Sequence, residues 1–281
     1  MNDVFAFADR TVRVIDLSQR LSNDTSAFEP MPHMIEYVDH RDNVALSEEK
    51  FGLGAEYWKD GLVWAHERVT LTTHSGTHVD APYHYAPTSG GIPARTIDQV
   101  PFRWVMGDGV VLALMHCDRS TGIAESDIRT ELDRIGYELK PFDIVLIRTD
   151  VSRHYGLQGY EQLHAGLRLS ATAWLVEQGV RLIGIDAWGI DRAFDVMVTE
   201  ALAGDIDQLW ESHKFGAQRE YCQIEKLCNL DALPTAHGFQ VIALPVKIDR
   251  ASGAWARVVA LIDEDQSVHS PGLPASSASA R

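Results

Sequence analysis

The eleven residues from His74 to His84, His-Ser-Gly-Thr-His-Val-Asp-Ala-Pro-Tyr-His, confine this chain to few backbone paths. Gly76, the β-branched Thr73, Thr77 and Val79, and then Pro82 make a poor helix, so the segment reads as strand, bend, strand. His74, His78, Asp80 and His84 are all even-numbered, and in an extended chain they project from one face, with Gly76 in the same row. His78 and Asp80 stand roughly 6.6 Å apart at Cα in a strand. Both side chains can therefore converge on one ion, whose ligand bonds are about 2 Å long. His74 is roughly 13 Å from His78 if extended, and joins the same ion only where the chain folds back at Ser75-Gly76. Glycine permits that turn.

Two imidazoles and a carboxylate suit zinc best, with manganese or iron also allowed, and three protein ligands leave an open position for water. A bound divalent ion lowers the pKa of water to about 7, making hydroxide available to attack a carbonyl carbon at neutral pH. His84, beyond Pro82, is the expected general base and then acid, because imidazole carries a proton in either direction near neutrality. The alternative is that His84 closes the site as a fourth ligand. Other chemistries lack their signatures: there is no G-x-S-x-G elbow, no G-x-x-x-x-G-K-S/T loop and no H-E-x-x-H helix. Gly52-Leu53-Gly54 is an uncompleted fragment of the dinucleotide fingerprint.

At 281 residues the chain can bury a full core, and one elaborated domain over residues 1–265 is expected. The Ser-, Ala- and Pro-rich stretch 266–281 reads as a disordered tail. Forty acidic against 25 basic residues leave a formal charge of -15, which repels phosphate backbones and anionic membranes. Nucleic acid and membrane are therefore not expected partners. Cys117, Cys222 and Cys228 are odd in number and form no C-x-x-C pair, which fits a reducing cytoplasm. Asp3 and Asp9 interrupt any apolar leader, and no apolar run reaches the roughly 18 residues of a spanning helix.

Val12–Leu17 reads as an opening strand. Residues 22–66 follow with no sustained period, holding Phe28, Met31, Met34, Tyr37, Phe51, Tyr57, Trp58 and Trp64, a set suited to lining a pocket or covering a neighbouring subunit. Apolar strands are expected at 109–115, at 143–147 ending in Arg148, and at 181–185. Helices are expected at 126–135, stopped by Gly136, and from Ser170 to Gln178, stopped by Gly179. Residues 205–214 are helical in pattern, and 240–248 and 255–262 read as late strands, the first an edge strand because of Pro245. The alternation indicates an α/β fold.

The segment His74-Ser-Gly-Thr-His78-Val-Asp80-Ala-Pro-Tyr-His84 resembles the H-x-G-T-H-x-D-x-P-x-H signature of the cyclase-like metal-dependent hydrolases, which include bacterial kynurenine formamidase and isatin hydrolase. Ile15-Asp16-Leu17-Ser18, 143–148, Gly184-Ile185-Asp186, 225–230 and 243–247 are similar to that family as well. The resemblance implies a swivelling β/β/α domain with a mixed sheet, usually a homo-oligomer (dimer or tetramer), holding one or two zinc or manganese ions. It implies His74, His78 and Asp80 as ligands and His84 as proton shuttle. It further implies His213 and Glu225 at a second metal position, with Asp80 and Glu225 as bridges, and Phe28, Trp58 and Trp64 as substrate-lining aromatics. Asp186 and Asp191 can orient loops, a role that capping or turn formation explains equally well.

The expected function is hydrolysis of an amide, cyclic amide or lactone in a small molecule with an aromatic or apolar body. The alternatives are a cyclase or dehydratase acting on a carbonyl substrate, and a non-catalytic ligand-binding protein with a closed metal site.

Overall fold

The computed structural model describes residues 2–7, 10–28 and 31–265; the tail 266–281 lies outside them. The described residues divide into two compact units, one within 1–20 and from 73 onward, the other within 21–72.

The first unit is built on a mixed sheet of ten strands: β1 (Asn2–Phe7), β2 (Arg10–Asp16), β3 (His78–Asp80), β4 (Met106–Ala113), β5 (Ile144–Arg148), β6 (Leu182–Ile185), β7 (Cys222–Glu225), β8 (His237–Ile242), β9 (Gly253–Trp255) and β10 (Val259–Asp263). Their spatial order is β1-β2-β10-β8-β4-β5-β6-β7-β3-β9. β4 to β7 run parallel, and the flanking strands are antiparallel. Helices Glu125–Ile135 and Leu169–Glu177 make the first two crossovers, and Phe194–Leu202 and Glu211–Phe215 lie in the third.

The apolar run at the centre of the sheet follows from burial on both faces. In β5, Ile144 and Leu146 join a core with Val111, Leu182 and Ile224, to which Ile15, Val79 and Ala260 of the flanking strands also belong. Val145 and Ile147 face the opposite core, with Ile128, Leu132, Leu175 and Val176 of the two crossover helices. Gly136 stops the first helix in the left-handed region, at φ 65°, its N–H bonded to the Asp133 and Leu132 carbonyls.

Several sequence expectations are corrected. The segment after the bend is not a second strand, because Pro82 opens the short helix Pro82–Tyr85, in which the His84 N–H bonds the Ala81 carbonyl. Residues 205–214 do not form one helix: a 3-10 turn at Ile206–Gln208 and helix Glu211–Phe215 are separated by Trp210, whose φ is +56°. β8 is an interior strand between β10 and β4, and it ends at Ile242, before Pro245. The expected strand 255–262 is two strands, β9 and β10, at different places in the sheet.

The second unit contains an antiparallel hairpin, Met34–Val38 with His66–Thr70, and helix Val44–Phe51 between its strands. Among the described residues of the chain, no helix is long and apolar enough to cross a membrane.

Candidate metal centre

Strand register assembles the site. β3 lies between β7 and β9, with Glu225 and Trp255 opposite His78, and Gln223 and Gly253 opposite Asp80. Residues directly opposite share a face, so Glu225 meets His78 across the ladder. Gly76, at φ +61°, turns the chain back so that His74 rejoins the row from outside the strand.

The donors converge. His74, His78 and Asp80 offer ligand atoms within 4.8 Å of one another, and so do Asp80, His84 and His213. The Nδ1–H of His78 donates to the Gly76 carbonyl at 2.8 Å, which fixes the tautomer and leaves Nε2 to the site. That Nε2 stands 3.2 Å from Asp80 Oδ1 and 3.6 Å from Glu225 Oε2. Neither contact has hydrogen-bond geometry, and His78 Nε2 and Asp80 Oδ2 are both buried without a hydrogen-bond partner. Buried polar atoms left so are costly in a folded chain, and here they belong to two residues of one cluster of ligand atoms. Gly253 completes the cradle, since a Cβ there would stand 2.7 Å from His74 Cε1 and 3.2 Å from Asp80 Oδ1. These donors fit a divalent cation.

His74 is engaged on both sides, its Nδ1 2.6 Å from Asp80 Oδ1 and its Nε2 2.9 Å from the Ser252 hydroxyl. Lys226, itself buried and at φ +60°, donates from Nζ to the His74 carbonyl at 3.0 Å and so holds the turn. Glu225 Oε1 accepts the Ile190 N–H at 3.1 Å.

His213 is buried, not a helix-surface residue, and Asp191 holds it. Asp191 Oδ1 accepts the Ser212 N–H at 2.6 Å, and its Oδ2 accepts the His213 N–H at 3.2 Å and the ring Nδ1–H at 2.5 Å. The ring is thereby left with Nε2 for the site, the usual arrangement of a carboxylate behind a metal-binding imidazole. The His84 ring lies 4.1 Å from that of His74 and 5.3 Å from that of His213, between centroids.

Charge follows burial. Desolvation, with the His74, His213 and His78 charges, pushes His84 down to about 4 against the pull of Asp80, so the ring is unprotonated at neutral pH. Burial and the Asp80 charge raise Glu225. Burial opposes ionisation of Asp80 too, but the imidazoles around it, His78 first, win and hold it well below the usual carboxylate range.

The three expected substrate aromatics all belong to the 21–72 unit. The Phe28 side chain lies outside the described residues. Trp58 and Trp64 meet edge-on at 5.8 Å, and Trp58 Nε1–H donates to Ser47 Oγ at 3.0 Å. The aromatic beside His84 and His213 is one that the sequence did not single out. Trp210 stacks on the His213 ring at 4.4 Å and 13°, with its centroid 6.1 Å from that of His84 and 6.4 Å from that of Phe194. Trp210 and Phe194 are both exposed large apolar groups. Asp191, Ser252, Gly253 and Lys226 were also not assigned to the site from sequence. Asp186, the other aspartate considered, accepts the Thr149 and Asp150 N–H groups and orders that turn.

Residues 15–192 match the family model described as "Putative cyclase". Kynurenine formamidase of Bacillus thuringiensis (strain Al Hakam) is 26% identical over 254 residues, covering 89% of this chain and 98% of that protein. The enzyme of the same name from Bordetella petrii is 28% identical over 192 residues, covering 68% of this chain and 78% of its own. The structure is similar to isatin hydrolase A from Ralstonia solanacearum, with a TM-score of 0.67 at 25% identity, covering 89% of this chain and 92% of that one. A structure described as a potential metal-dependent hydrolase with cyclase activity shares the fold, with a TM-score of 0.60 at 20% identity over 89% of this chain and 98% of its own.

Proposed function

The chain belongs to the cyclase family, and from that premise we propose that it is a metal-dependent hydrolase opening an amide, cyclic amide or lactone bond in a small molecule. The observation that carries this reading is the pair of buried, unpartnered atoms, His78 Nε2 and Asp80 Oδ2, at the meeting point of four further donors, His74, His84, His213 and Glu225. Relatives named kynurenine formamidase and isatin hydrolase A support a carbon–nitrogen bond as the target.

His74, His78 and Asp80 would hold one divalent cation, zinc in preference to manganese by their nitrogen and oxygen donors, and Asp80, His213 and Glu225 would hold a second. When bound, the cation supplies Lewis-acid polarisation of the scissile carbonyl and acidifies water toward neutrality. His84 is the proton carrier. Kept unprotonated at neutral pH, it accepts the proton of the attacking water and returns it to the leaving nitrogen or oxygen. Asp191 orients His213, and the Gly76 carbonyl orients His78. Trp210 and Phe194 offer an apolar wall beside His84 for the body of the substrate. A homo-oligomer is the assembly we expect.

Metal analysis of the purified protein, with hydrolysis of N-formylanilines, isatin and simple lactones before and after chelator, tests the reading. Chelator should abolish turnover and added Zn2+ or Mn2+ restore it. His84→Ala should keep its metal and lose at least about a hundredfold in kcat, the scale of lost acid–base catalysis. Full activity in that variant, or turnover indifferent to chelator, would overturn the assignment.

A further inference from the structure

A second cluster of metal-binding side chains lies outside the centre described above. His116 and Cys117 occupy the turn after β4, closed by a bond from the Cys117 N–H to the Leu114 carbonyl at 3.1 Å. Asp127 stands in the first turn of helix Glu125–Ile135, its Oδ2 fixed by the Ala124 N–H at 2.8 Å. The His116 Nε2 and Cys117 Sγ atoms are 3.8 Å apart, and one ligand atom from each of the three residues falls within 4.8 Å of the others. The cluster shares no residue with the His74–His78–Asp80 and Asp80–His84–His213 sets. Among the described residues, it is the one such cluster that contains a thiol.

We propose that His116, Cys117 and Asp127 form a peripheral site for a thiophilic divalent cation of the Zn2+ and Cd2+ class. The donor set distinguishes it from the catalytic centre. Imidazole nitrogen and carboxylate oxygen alone are compatible with manganese as well as zinc, whereas a thiolate donor selects the softer cations. Three protein donors from two elements leave one tetrahedral position to solvent, which suits an exchangeable ion. The exposure of His116, with Cys117 and Asp127 only partly covered, gives that ion a path in. Binding then forms one sulfur–metal bond and releases one proton to solvent, with no change of oxidation state. The bound ion would tie the turn after β4 to the start of the following helix.

Cd2+ titrated into the full-length protein reads this site separately, because thiolate-to-metal charge transfer in the near ultraviolet cannot arise from the sulfur-free centre. The band should saturate, should persist in Cys222→Ser and Cys228→Ser, and should vanish in Cys117→Ser; His116→Ala should weaken Cd2+ binding by at least about tenfold. A second arm needs no variant: Zn2+ should slow alkylation of Cys117 in the parent protein at least tenfold, as mapped by mass spectrometry of the modified peptide. Absence of the band, its survival in Cys117→Ser, or alkylation of Cys117 indifferent to Zn2+ would each overturn the proposal. None of these readings depends on hydrolytic activity, so the catalytic assignment stands or falls apart from them.

Discussion

Replacing Asp191 by asparagine removes one charge and almost no volume, yet it should disable a metal position without touching any proposed ligand. Asp191 accepts three hydrogen bonds, from the N–H groups of Ser212 and His213 and from His213 Nδ1–H. An asparagine keeps one accepting oxygen, so its amide group must face the remaining donors. The simplest relief is in the imidazole: the proton moves to Nε2, and Nδ1 then accepts from the new amide. That tautomer repairs the hydrogen bond and blocks the nitrogen that points into the site. The lost bond to a charged acceptor is worth about 1.5–3 kcal/mol, which is the expected loss of stability. Loss of such an orienting carboxylate costs metal affinity about 10–100-fold, or roughly 1.4–2.7 kcal/mol. Competition for Zn2+ against a chromophoric chelator, with urea unfolding of the metal-free protein and nitrogen NMR of the imidazole, separates the two effects. An Asp191→Asn protein that binds Zn2+ like the parent, with His213 still protonated on Nδ1, refutes the reasoning.

Two further perturbations probe the frame of the site and the interior beyond it. Gly253→Ala would place a methyl 2.7 Å from His74 Cε1 and 2.9 Å from the Val79 carbonyl oxygen; the ring can swing but the backbone cannot. A loss of about 1–3 kcal/mol by denaturant unfolding, typical of overpacking, should accompany weakened metal binding, and a fully parental protein would contradict the crowding seen here. His164 is buried, donates from Nε2 to the Asp191 carbonyl at 2.9 Å, and is pushed down to about 4, first by desolvation. Its folded pKa lies below its unfolded one, so its contribution is complete above pH of about 6.5 and is lost as pH falls through about 4, to a limit of roughly 3 kcal/mol. His164→Gln should flatten unfolding free energy against pH across that window; an unchanged slope there would show that His164 is not a source of the acid loss.

How much of this was legible beforehand depends on how local each constraint is. His78 and Asp80 are two apart on a strand, so period alone puts both on one face, and the alternation of apolar runs with Gly-stopped helices reports the buried parallel strands β4, β5 and β6. His84 does lie beside His74, but on a helix and not on the expected strand, because Pro82 serves equally as an interruption in a strand and as the first residue of a helix. The pairing of Glu225 with His78 depends on register between strands separated by more than half the chain, and no short-range pattern encodes it. Asp191 is similar: its three bonds reach the 211–215 helix past the whole of helix Phe194–Leu202 and the turn at Ile206–Gln208, and an aspartate after Gly-Ile looks like any turn residue until the later helix is in place. Trp210 was hidden by its own exception. A bulky residue in the left-handed region is uncommon, so a helical period read straight through 205–214 could not expect a break there. The break turns an apparent helix-surface aromatic onto the His213 ring.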